Sequence, residues 1–134
     1  KARKLLEILH KDYKHVHTDI NPWNFLYNEE TDKLSLIDFD TCIDLNNGNM
    51  DYTGINTLSC IYGQYNGFDP GLDIFLFNLL TFSIINNVEF YDVINSIIEN
   101  NYGIIENSKA IEIFKDYDDI EFKTLKKEYV IDYL

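Results

Sequence analysis

Basic side chains are in short supply in this sequence. Eleven Lys and Arg stand against 23 Asp and Glu in 134 residues, a formal net charge of −12. Nucleic-acid binding needs Lys and Arg gathered against phosphates, so this balance argues against a nucleic-acid partner and against an anionic membrane surface. A positively charged ligand, or an anion bridged by a metal, suits it better. Long hydrophobic runs are missing too. The longest, Ile74 to Ile85, has twelve residues and is interrupted by Asn78, Thr81 and Ser83. A bilayer takes about 20 residues, so this stretch predicts a buried helix and no membrane span. Cysteine is scarce: Cys42 and Cys60 have no CxxC spacing and no neighbouring His, which favours reduced structural thiols and a cytoplasmic setting. No basic-then-apolar leader opens the sequence, so nothing suggests export. No internal repeat or low-complexity linker interrupts it.

What is present suffices for a core. Hydrophobic residues make up 46% and aromatic residues 15%, which excludes wholesale disorder, and the length fits one domain. Leu5, Leu6, Leu9 and Tyr13 recur at helical spacing and predict a helix over 1–15. It starts without a capping residue, as at a boundary inside a larger protein. A polar loop covers 16–24. The apolar runs Phe25–Tyr27 and Leu34–Ile37, separated by Asn28 to Lys33, predict a β-hairpin over 25–37. Gly54, Gly63, Gly67 and Asp69-Pro70 make 38–70 a long irregular segment. Residues 71–134 read as a helical subdomain: the buried helix from Leu72, amphipathic helices over Val88–Asn100 and Ala110–Tyr117, and a terminal one over Lys123–Leu134. The expected fold class is mainly α, formally α+β, with one small hairpin.

The chemistry concentrates in His17-Thr18-Asp19-Ile20-Asn21-Pro22-Trp23-Asn24 and in Leu36-Ile37-Asp38-Phe39-Asp40. The loop presents Asp19 and Asn24 five residues apart, and the hairpin returns the chain so that Asp38 reaches the same point. One amide and one or two carboxylates are what Mg2+ bridging phosphates requires, and a further carboxylate off the metal can deprotonate an attacking hydroxyl.

This arrangement resembles the kinase-like phosphotransferases, the group of protein kinases, aminoglycoside phosphotransferases and choline kinases. Their catalytic loop reads H-x-D-x-x-x-x-N, and a D-F-G or I-D-x-D/E/G motif follows a hairpin. Leu72-Asp73-Ile74-Phe75, about 35 residues past Asp38, resembles the helix whose Asp anchors the catalytic loop in protein kinases. The resemblance spans roughly residues 1–86. It implies a kinase-like C-terminal lobe with Asp19 as catalytic base and Asn24 and Asp38 as Mg2+ and nucleotide ligands. His17 and Asp73 are implied as scaffolding, ATP as co-substrate, and a protein or small-molecule hydroxyl as acceptor.

Several positions depart from the pattern. Thr18 stands where many regulated kinases carry an Arg, Asn21 where many carry a Lys, and Asp40 where D-F-G has Gly. No A-P-E motif precedes Asp73. No Gly-rich loop, strand Lys or partnering helical Glu occurs in these residues, so the smaller nucleotide lobe is expected in cis or in trans, and the lobe alone is expected to be inactive. A protein-kinase-like acceptor ranks narrowly first; a small-molecule kinase lobe and a non-catalytic pseudokinase module are the alternatives. Trp23 lines a substrate face or packs, and Asp44 and Asp51 read as solvated surface charge. His10, His15 and His17 fit no zinc-ligand spacing.

Overall fold

In the computed structural model, which describes residues 1–47 and 53–102, the hydrophobic stretch after Asp69 forms the central element, helix Pro70–Asn86. Its start is defined by local chemistry. Asp69 accepts the Gly71 N–H at 2.8 Å, and Pro70 occupies the first turn, where no amide donor is needed. Its end is a left-handed Asn87 whose N–H reaches back to Ile84 and Ser83. Between them Leu72, Phe75, Leu76, Leu79 and Leu80 are buried. Thr81 and Ser83 return their hydroxyls to the carbonyls of Phe77 and Leu80, so their polarity is satisfied within the helix.

The other elements wrap this helix. In chain order they are α1 (Ala2–Lys11), β1 (His15–Val16), a 3-10 turn (Pro22–Asn24), β2 (Phe25–Asn28), β3 (Lys33–Leu36), β4 (Ile43–Asp44), α2 (Thr57–Asn66), α3 (the central helix) and α4 (Phe90–Tyr102). The described residues are thus mixed α+β, with four helices and two small antiparallel sheets. Their core joins Leu6, Val16, Ile20, Ile43, Leu58 and Tyr62 to α3 and to Val93 and Ile97 of α4, with the Tyr62 and Phe75 rings stacked at 5.1 Å.

The hairpin forms in the expected place. Phe25 pairs with Leu36 and Asn28 with Lys33. Asn28 Oδ1 accepts the Thr31 N–H at 3.0 Å, and Asp32 at φ 51° closes the turn.

Four expectations are corrected. The first helix ends at Lys11, because the Ile8 carbonyl takes both the Asp12 and Tyr13 amides and Lys14 turns left-handed at φ 56°. Tyr13 is therefore off the buried face, and His15 begins a strand. Second, that strand pairs with β4, Val16 opposite Ile43, inside a segment read as irregular. Third, the same segment contains α2. Asn56 caps it by accepting the Ser59 N–H at 2.9 Å, and Gly67, at φ 79°, closes it onto the Gly63 carbonyl. Gly63 lies within the helix because the Phe68 ring fills the space of a Cβ, 2.3 Å from where one would sit. Helix α4 starts two residues later than predicted, since the Val88 amide is used to close α3 through Ser83. The helices predicted over 110–117 and 123–134 fall outside the described residues, as does Asp51. No helix among the described residues is long and apolar enough to cross a membrane.

Candidate functional site

The site is assembled on one buried carboxylate. Asp73, in the first turn of α3, has no exposed surface. Its Oδ2 accepts the backbone N–H of His17 at 2.7 Å, and its Oδ1 accepts that of Thr18 at 2.8 Å. His10 on α1 contributes a third contact, Nε2 to Oδ2 at 2.7 Å. Removing a carboxylate from water is costly unless donors replace the water, and here three do. The loop therefore leaves β1 in a fixed direction, with Thr18 left-handed at φ 73°.

The next residues are held as firmly. The Thr18 hydroxyl donates to the Thr41 carbonyl, and the Thr18 carbonyl accepts from Ser59 Oγ at 2.6 Å and Asn56 Nδ2 at 3.1 Å. The His17 ring accepts the Asp19 N–H at Nδ1 and meets the Ile37 carbonyl at Nε2, 2.9 Å away. With Nδ1 accepting, the proton lies on Nε2, so both ring nitrogens are committed to structure. The Phe39 ring packs edge-on against this imidazole at 5.2 Å.

Asp19 follows, half-buried. Its Oδ2 accepts Asn24 Nδ2 at 3.1 Å and its Oδ1 accepts Asn56 Nδ2 at 3.4 Å. Asn24 Nδ2 also donates to the Asp19 carbonyl at 2.8 Å. The turn bringing Asn24 back is capped by Asn21, whose Oδ1 accepts the amides of Trp23 and Asn24. Asn24 is buried, and its carbonyl accepts the Ile37 N–H at 2.9 Å, one residue before Asp38. Asp38 is exposed and left-handed at φ 61°, and no described residue bonds its carboxylate.

The five residues singled out in the sequence thus fall into one neighbourhood. Asp73 and His17 lie beneath the loop, Asp19 and Asn24 on it, and Asp38 beside it at the end of the hairpin. Among the described residues no group of three or more His, Cys, Asp or Glu is placed to hold a metal ion. Asn24 and Asp38 offer a smaller set, an amide oxygen that no described residue donates to and an unbonded carboxylate. Such hard oxygen donors fit Mg2+, which takes one or two protein ligands and completes its shell with water and phosphate.

Sequence reasoning missed four contributors. His10, Thr41, Asn56 and Ser59 each reach the loop from a distant stretch of chain. Only Asn56 carried a local signal, as a capping residue ahead of α2. Asp44 spends its carboxylate on the Asn46 amide. Cys42 lies under the site, and burial, with the charges of Asp73 and Asp38, pushes its thiol up to about 12. No protein-family model, curated protein or solved structure matches this chain.

Proposed function

We propose that the chain is the larger lobe of a protein-kinase-like, ATP-dependent phosphotransferase that passes the γ-phosphate to a hydroxyl acceptor. The observation that carries this reading is the buried Asp73 carboxylate accepting both the His17 and Thr18 amides. It supports the reading because the sequence resemblance implies an Asp at this place in the helix as the anchor of the loop, and a carboxylate buried there needs amide donors in place of water.

On this reading each side chain has a stated task. Asp19 orients the acceptor hydroxyl and takes its proton, with its own orientation set by Asn24 and Asn56. Asn24 and Asp38 would hold Mg2+, which supplies charge neutralisation on the phosphates. His17 supports Asp38 through the Ile37 carbonyl and takes no part in proton transfer. The nucleotide lobe, in cis or in trans, supplies the remaining contacts to adenine and phosphates.

Manganese in place of Mg2+ gives a direct test. With ATP present, Mn2+ should broaden the NMR signals of Asn24 and Asp38 selectively, and Asp38→Ala should abolish the effect. Broadening spread evenly over the acidic surface would refute the assignment.

A further inference from the structure

The Asp19 carboxylate is held from two sides by neutral amides. Asn24 Nδ2 meets its Oδ2 at 3.1 Å, and Asn56 Nδ2 meets its Oδ1 at 3.4 Å. No Lys, Arg or His forms an ion pair with it among the described residues. Asn24 belongs to the same loop. Asn56 arrives from the start of α2, 37 residues away, and its side chain is used at both ends.

The oxygen end caps α2, accepting the Ser59 N–H at 2.9 Å. The nitrogen end donates to the Thr18 carbonyl at 3.1 Å and to Asp19 Oδ1. Capping accounts for the first contact, and Ser, Thr or Asp would serve there about as well. It does not account for the other two. An ionised Asp has no donor, and a Ser hydroxyl ends one bond nearer the backbone. The turn closed by the cap also carries Ser59, which is fully buried and donates its hydroxyl to the same Thr18 carbonyl at 2.6 Å. A carbonyl oxygen has two lone pairs. The first turn of α2 fills both, on the peptide bond that leads into Asp19.

We infer that Asn56 is a positioning residue for the proposed base: its amide sets the direction of the Asp19 carboxylate, so the first turn of α2 controls the transfer step. The inference rests on the proposed transfer chemistry and adds its control. Among the described residues neither Asn24 nor Asp38 bonds to α2. Displacing that turn therefore releases the base and leaves the two oxygen donors for metal where they are. A base must lie within hydrogen-bond reach of the hydroxyl it deprotonates, and a misplacement of about 1 Å can cost about a hundredfold in rate.

Two variants of the full 134-residue chain separate the cap from the aim. Asn56→Ser and Asn56→Asp both keep an oxygen for the Ser59 N–H, and both remove the NH2 group. The readout is the Asp19 rotamer, taken from three-bond NMR couplings between its backbone and Cγ. The wild-type chain should show a single rotamer. In both variants the couplings should average, while hydrogen exchange at the Ser59 and Cys60 amides stays as in the wild type. A purely structural cap would leave the Asp19 couplings unmoved. With the nucleotide lobe supplied, Asn56→Ser should lower kcat about tenfold or more and leave the KM for ATP unchanged. Wild-type couplings in both variants, wild-type kcat in Asn56→Ser, or loss of α2 in both variants would each overturn the inference. No nucleotide or metal enters the coupling measurement. The Mn2+ experiment above, run on the wild-type chain, tests the transfer chemistry separately, and its failure would leave the couplings to decide the role of Asn56.

Discussion

A carboxylate with no exposed surface is a demanding residue to keep, and Asp73 is kept by three donors on two different elements. Truncation to Ala strands the His17 and Thr18 amides and the His10 ring, each costing about 1–3 kcal/mol when buried without a partner. Asp73→Ala should therefore lower stability by about 3 kcal/mol or more, measured by urea unfolding, and should broaden the amide signals of residues 17–24. An unchanged midpoint would mean that the anchor is not holding the loop. His10→Ala removes one donor and leaves the two amides paired, so its loss should be smaller, about 1–3 kcal/mol. Cys42 gives a pH test at the same scale. Its thiol is raised in the folded chain from an ordinary value of 9.0 to about 12, so the native state resists ionisation that the unfolded state accepts. Its contribution is fully present below pH 9 and is lost as pH rises towards 12. Cys42→Ser should flatten the alkaline fall in stability, and the thiol of the wild-type protein should alkylate slowly at neutral pH.

At the scale of elements, the legible parts of the sequence were those with a strong local signature. Helix α3 announced itself by a strongly apolar stretch broken only by Asn78, Thr81 and Ser83, and the hairpin by two short runs around a polar turn. Strands β1 and β4, two residues each, are too short to show any alternation. Helix α2 was hidden because Gly63 and Gly67 read as loop formers. One is a helical position crowded by Phe68, and the other is the closing residue. Gly63→Ala should accordingly destabilise by about 1–3 kcal/mol, since the Phe68 ring must move, where an ordinary helical Gly→Ala change would stabilise. Thermal denaturation decides the sign. The candidate site divides the same way. Asp19, Asn24, Asp38 and Asp73 were legible because their spacing along the chain carries information. His10 and Asn56 were not, because a contact across 63 residues or 37 leaves no trace in local pattern.

For the whole molecule, the proposed chemistry predicts a division of labour between two lobes. The sequence carries no Gly-rich phosphate-loop motif, so the proposed chemistry predicts that the chain by itself turns over ATP negligibly. Steady-state phosphorylation by the purified chain, abolished by Asp19→Asn, would contradict this. Supplied with its nucleotide lobe, the protein should lose nearly all turnover in Asp38→Ala while keeping its thermal midpoint, because that carboxylate is exposed and bonds to nothing described. Asp19→Asn should retain nucleotide binding and depress the chemical step by about a hundredfold or more. Wild-type turnover in Asp19→Asn would remove Asp19 from the role of base.

The distance along the chain between the loop and its anchor also has a consequence in time. His17 and Asp73 are 56 residues apart in sequence, so the loop is made well before the carboxylate that orders it. Contacts between residues this far apart form after helices and hairpins, because they need those elements to be docked against one another first. Helix α1 and the β2–β3 hairpin can form from local contacts, but residues 17–24 must wait until α3 has docked. In refolding from urea, far-ultraviolet signal should therefore recover first, and the fluorescence of Trp23, which lies within the waiting loop, should recover last. A chain growing from its amino end would pass through a stage with helix and hairpin in place and Asp19 not yet aimed at anything. Competence for chemistry would then arrive in one step, with the burial of a single aspartate.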